Sequence, residues 1–160
     1  MQNTPVPDQT YTPPEGFEIF GDPGGFVHRN GPLYIDRKSP QPTVRLLLGP
    51  QHTNSIGIAS GGLLMTVLDI TLGTNVSKAV GYPGICPTVQ FGVNLISGAR
   101  NGDELVGQAE VTQFTRSLVF ATGRLTVNDE VVATATGVFK IPAAAQAPRP
   151  SPSASLSKPR

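Results

Sequence analysis

One cysteine and two histidines, in 160 residues, leave little material for soft metal chemistry. A single thiol, Cys86, excludes an internal disulfide and any cysteine-based metal cluster; lying after a helix and before a strand, it reads as a small apolar residue. His28 and His52 lack the spacing of paired metal ligands, and no Ser-His-Asp set is evident. No apolar run approaches the ~20 residues that a membrane span needs, and no basic-then-apolar leader follows Met1. A soluble cytoplasmic protein with neither metal nor cofactor is therefore expected. Basic residues are equally sparse: residues 143–160 hold three of the twelve and no acid, so residues 1–142 carry nine basic against eleven acidic side chains. They are scattered rather than gathered on one face, which argues against a nucleic-acid partner.

Proline and glycine are abundant, but five of the sixteen prolines precede Gly24 and five lie from Pro142 onward. Residues 1–17 lack periodicity and read as a loose arm. Residues 143–160 are rich in alanine, proline and serine, cannot bury enough surface to offset their ordering entropy, and read as a disordered tail. One folded domain remains, over 18–142.

Within it, Phe26-Val27 and Gly31-Pro32 bracket a turn that holds His28, and Leu33–Ile35 and Thr43–Leu48 read as short strands. The run from Leu63 to Val80 is too long for a strand and apolar over most of its circumference, the pattern of a buried helix. Ser60 is positioned to cap it, and Gly81-Tyr82-Pro83-Gly84 to stop it. Four alternating, β-branched segments follow, Thr88–Ile96, Glu104–Phe114, Ser117–Val127 and Val131–Ile141, with turn residues at Asn101-Gly102-Asp103 and Asn128-Asp129, so an antiparallel meander is expected. One long apolar helix with long antiparallel strands after it has few solutions: an α+β arrangement in which a curved sheet wraps the helix, as in the hotdog fold.

The segment QHTNSIGIASGGLLMTVLD, Gln51 to Asp69, carries a more specific pattern. It resembles the loop-to-helix segment of acyl-CoA thioesterases of the phenylacetate-degradation (PaaI-like) type, roughly H-x-N-x-x-G-x-x-H-G-G with an aspartate seven residues on. His52, Asn54, Gly57, Gly61, Gly62 and Asp69 fall on that pattern, and Ser60 stands where the family has its histidine. Ser97-Gly98-Ala99 with Gly102-Asp103, Arg116–Phe120 and Val132–Gly137 are similar to the family's strand signatures.

The resemblance implies hydrolysis of an acyl-CoA to a free acid and CoA. A lone carboxylate in an apolar helix is costly unless it finds a partner or a purpose, and Asp69 is the candidate base or nucleophile. Amides at a helix start lack acceptors, so those of Gly61 and Gly62 suit a developing oxyanion, although a glycine pair also serves close packing. Thr88 occupies the position from which relatives hold the attacking water; it is equally an ordinary strand threonine. Asn54 would hydrogen-bond substrate or water, or else cap its own turn. His52 reads as a brace for the loop.

Ser60, Leu64, Met65 and Leu68 are the expected substrate-side residues, with Arg116-Ser117, Arg100 and Lys78 toward CoA. Asp69 lies eight residues past Gly61, ~12 Å along one helix, so both cannot address one carbonyl carbon. The resemblance resolves this with composite sites in a homodimer or homotetramer. The competing reading is a non-catalytic hotdog module that binds acyl-CoA, for which Ser60 is the best support. A hotdog hydratase needs a catalytic histidine that is missing.

Overall fold

A computed structural model describes residues 11–145. Three short strands come first, β1 (Glu18–Phe20), β2 (Leu33–Ile35) and β3 (Val44–Leu47), with a single helical turn, α1 (Phe26–Arg29), between β1 and β2. The long helix α2 (Gly61–Ala79) follows, then β4 (Thr88–Leu95), β5 (Glu104–Phe114), β6 (Leu118–Val127) and β7 (Glu130–Lys140). All seven strands form one antiparallel sheet in the order β1-β2-β3-β5-β6-β7-β4, and α2 packs against it. This is the hotdog arrangement expected from the sequence.

Two expectations are corrected. The segment holding His28 is a helical turn, closed by Asn30 Nδ2 donating to the Phe26 carbonyl at 2.8 Å, and not a hairpin-like turn. The meander covers only β5 to β7. β4 does not pair with β5; it crosses to the far edge and pairs with β7, Gly92 opposite Thr136 and Val93 opposite Ala135. At the β6–β7 turn, Asn128 and Asp129 both take positive φ (49° and 68°), the conformation that matches the twist of a two-residue hairpin.

The helix can sit close because the sheet presents small residues to it. Val93, Ala135, Gly123 and Ala109 form one row across four strands, and Phe91, Gly137, Ala121 and Val111 the next. A Cβ on Gly123 would lie 2.5 Å from Leu72 Cδ1 and 2.9 Å from the Gln108 carbonyl oxygen, so rotating Leu72 alone cannot relieve it. Gly123→Ala is expected to cost about 1–3 kcal/mol by overpacking, read as a lower denaturant midpoint. Leu46, Leu48, Leu64, Val67, Leu68, Leu72, Val76 and Leu105 fill the interior. Two polar side chains of α2 buried with them are satisfied: Thr71 Oγ1 donates to the Val67 carbonyl, and Asn75 Nδ2 donates to the carbonyls of Thr71 and Pro42 at 2.9 and 2.8 Å, tying α2 to the β2–β3 connection.

Of the expected loose arm, residues 1–10 lie outside the described residues, but 11–17 make specific contacts. The Tyr11 ring meets Tyr34 at 5.2 Å and its hydroxyl donates to Glu104; Arg45 pairs with the same carboxylate at 2.6 Å and lies 5.3 Å from the Phe17 ring centre. Burial, then the Glu104 carboxylate, pushes the Tyr11 pKa up to about 12. Of the expected disordered tail, Ala143–Ala145 form one 3-10 turn and residues 146–160 lie outside the described residues.

Candidate active site

The loop before α2 is held by its own polar groups. Pro50–His52 make a 3-10 turn in which the Gly49 amide donates to His52 Nδ1 at 2.9 Å, so the ring hydrogen of the neutral imidazole resides on Nε2. Nε2 is buried and has no hydrogen-bond partner among the described residues. Burial lowers the His52 pKa below the ordinary 6.5, partly opposed by the backbone groups of Gly31 and Asn30. The His52 carbonyl in turn accepts from the Ser60 amide at 2.9 Å. His52 therefore braces the loop, as its sequence position suggested.

The depressed pKa has a sign. The unfolded chain binds this proton first, so the stability is present above pH 6.5 and is lost as pH falls from there toward the folded-state value, by at most about 1.4 kcal/mol per unit. His52→Asn keeps an acceptor for Gly49 and cannot titrate. Its urea midpoint is expected to fall less than that of the wild type between about pH 6.5 and about pH 5.5.

Asn54 caps its own turn: Oδ1 accepts from the amides of Ile56 and Ile58 at 3.1 and 3.3 Å, while the residue itself is exposed. Antiparallel bridges Thr53–Ala59 and Ile58–Arg100, and the Ala59 amide donating to the Ala99 carbonyl at 2.7 Å, fasten the loop to the β4–β5 connection.

Ser60 stands at the N-cap of α2 but its hydroxyl makes no cap bond, contrary to expectation. The first intrahelical donor is Leu64, to the Ser60 carbonyl, so the amides of Gly61, Gly62 and Leu63 have no acceptor among the described residues. The two glycines differ. A Cβ on Gly61 would lie 2.8 Å from Leu95 Cδ1, whereas one on Gly62 would meet, among the described residues and beyond its neighbours and the helix's own backbone, only Ser60 Oγ, at 3.9 Å. Gly61 permits packing; Gly62 leaves an open approach to the helix start.

Two turns on, Asp69 is half-buried rather than enclosed, on the face of α2 that also carries Gly62 and Met65. Its Oδ1 accepts from Thr88 Oγ1 at 2.8 Å. That contact depends on a β-bulge. Phe91 and Val93 pack toward the core, so strict alternation would send Thr88 to the opposite face; the register shift between Thr88 and Gln90 turns it to the helix side. No signal in the sequence marks this bulge.

Of the expected substrate-side residues, Leu64 and Leu68 belong to the core, at 3% and 0% exposure, whereas Ser60 and Met65 are exposed. Arg100 adjoins the glycine loop. Arg116 and Ser117 follow the far end of β5, ~35 Å of strand away and at the Thr88 end of the sheet. Lys78 is occupied, donating to the Arg37 carbonyl at 3.0 Å. A groove of about 560 Å³ on the sheet, lined by Gln108, Glu110, Arg124 and Thr134 among others, shares no residue with these groups. Among the described residues no group of three His, Cys, Asp or Glu is placed to hold a metal ion, and no helix is long and apolar enough to cross a membrane.

Comparison with known proteins gives the family and the fold. Residues 56–134 match the model of a family described as the thioesterase superfamily. A Pseudomonas aeruginosa protein that bears the name of an esterase is 32% identical over 130 residues, 81% of this chain and 97% of its own length. Mouse acyl-coenzyme A thioesterase 13 is 34% identical over 77 residues, about half of each chain (48% and 54%). The phenylacetic acid degradation protein PaaI of Thermus thermophilus, solved as a point mutant, shares the fold with a TM-score of 0.65 at 19% identity, over 75% of this chain and all of its own.

Proposed function

Because this chain belongs to the thioesterase superfamily, we propose that it hydrolyses an acyl-CoA to a free acid and CoA, in sites shared between two copies of itself. The observation that carries the reading is the Asp69–Thr88 hydrogen bond on the open face of α2, two turns from a helix start whose amides are unclaimed. A chain whose relatives include an acyl-coenzyme A thioesterase has a use for both.

The need for two copies follows from reach. Gly61 and Asp69 are ~12 Å apart along α2. β4 touches both regions, with Thr88 at Asp69 and Leu95 at Gly61, and it is an edge strand of the sheet. Apolar residues near its two ends stay open: Val89 and Leu95 in the strand and Ile96 just after it are 60%, 49% and 58% exposed. An exposed edge of this kind invites pairing. If β4 pairs antiparallel with β4 of a second copy, the Leu95 end of one strand lies beside the Thr88 end of the other. The glycine amides of one chain then face Asp69 and Thr88 of its partner.

In such a site the thioester oxygen sits against the Gly61 and Gly62 amides, where the helix dipole and the free N–H groups stabilise the charge that develops on it. Asp69 takes the proton of a water held by Thr88 as that water attacks the carbonyl carbon, or attacks the carbon itself to give an anhydride that water then opens. The CoA thiolate leaves in either case. Met65 lies on the acyl side. Arg100, beside the glycine loop, and Arg116-Ser117, at the Thr88 end, approach one site only from different chains, and they are the groups proposed to meet CoA.

The test is release of free thiol from a panel of aryl and aliphatic acyl-CoAs. Turnover of at least one ester is expected, with the panel ranking the acyl group. A folded protein that binds these esters without releasing thiol would instead be the acyl-CoA-binding module.

A further inference from the structure

We propose that the Ser60 hydroxyl is a third hydrogen-bond donor to the thioester oxygen, completing the site begun by the glycine amides; this rests on the thioesterase reading.

A serine at an N-cap ordinarily turns its oxygen back to accept from the second or third helical amide. Here it does not. The Ser60 backbone is fixed on both sides, its amide donating to the His52 carbonyl and its carbonyl accepting from the Leu64 amide, with φ −60° and ψ 133°. Its hydroxyl has no partner among the described residues, and the residue is exposed. Within 4 Å of the position of a Cβ on Gly62, Ser60 Oγ is the only atom among the described residues beyond the chain neighbours and the helix's own backbone. The hydroxyl therefore borders the same opening that exposes the Gly62 amide.

Two roles exclude each other at this spot. As a cap, the oxygen would accept from Gly62 or Leu63 and compete with the substrate oxygen for the amides. Uncapped, it leaves the amides free and has its own proton to give to an oxygen seated there. An oxyanion bound by two amides still has acceptor capacity for a third donor, and a hydroxyl held beside a pinned backbone needs only to rotate about one bond. The bracing by His52 thus acquires a purpose: it sets the backbone of the residue whose side chain meets the substrate.

The experiment compares wild type, Ser60→Ala and Ser60→Thr for kcat, KM and Tm on the best ester of the panel. Ser60→Ala is expected to lower kcat about 100-fold with KM little changed and Tm unmoved, since no cap bond is lost, and Ser60→Thr, which keeps the hydroxyl, to restore most of the rate. An unchanged or faster Ser60→Ala, or one with a lowered Tm, overturns the assignment, the last because it would reveal a cap. If the wild type itself releases no thiol, the thioesterase reading falls and takes this assignment with it; if the wild type turns over and Ser60→Ala matches it, only the assignment falls.

Discussion

Asp69→Asn is expected to lower kcat by roughly a hundred- to ten-thousandfold while leaving the fold intact. The substitution is close to isosteric, and the asparagine Oδ1 can still accept from Thr88, so the one side-chain hydrogen bond that Asp69 makes among the described residues is retained. What is lost is the negative charge and the basicity. On the proposed mechanism, neither a water proton nor the thioester carbon can then be engaged by this residue, and the glycine amides are left to polarise a carbonyl that nothing attacks. KM should move little, because the neutral side chain occupies the same volume beside the acyl group. The measurement is steady-state thiol release alongside a thermal melt. A variant with an unchanged melt and unchanged kcat would mean that Asp69 only anchors the start of β4 through Thr88, and that the base lies elsewhere.

How far the sequence discloses this site depends on which forces set each feature. Helix α2 was legible to within two residues at its start, because apolar periodicity and the Gly81–Gly84 stop act locally. The long strands and the Asn128-Asp129 turn were legible for the same reason. Strand order was not. Nothing in the composition of β4 says that it pairs with β7 rather than β5, since pairing is decided by connections and by the surface that α2 must cover. The small residues in the rows through Gly123 and Gly137 look unremarkable strand by strand and acquire meaning only when the register aligns them under Leu72.

Asp69 shows the limit most clearly. An apolar circumference suggested a helix buried all round, yet the face through Gly62, Met65 and Asp69 is open in a single chain. The two statements are compatible if the sequence pattern describes the assembled state, in which a second copy covers what one chain leaves bare. Asn54 carries a related ambiguity: its position fits the thioesterase pattern, and its oxygen caps the turn that presents the glycines. One residue can serve the loop and, through its amide group, the site.

The proposed composite arrangement gives the second large effect, a rescue. Gly62→Val should fold, since beyond its chain neighbours and the helix's own backbone no atom of the described residues lies closer than 3.9 Å to the position of the added Cβ, but its side chain would fill the approach to the helix start and abolish turnover. Asp69→Asn abolishes turnover for the separate reason given above. If each site takes its glycine amides from one chain and Asp69 from the other, a mixed dimer of the two variants has one site with both defects and one with neither. Equal co-expression gives mixed dimers as about half of the total, so about a quarter of the wild-type rate per chain should return from two nearly inactive parents. If instead both groups act within one chain, every chain in the mixture carries a defect and mixing restores nothing. A third variant sharpens the comparison: Gly62→Val and Asp69→Asn in the same chain, mixed with wild type, leaves each mixed dimer with one defect in each of its two sites. The doubly substituted chain should then silence its wild-type partner, a dominant effect that a self-contained site cannot produce.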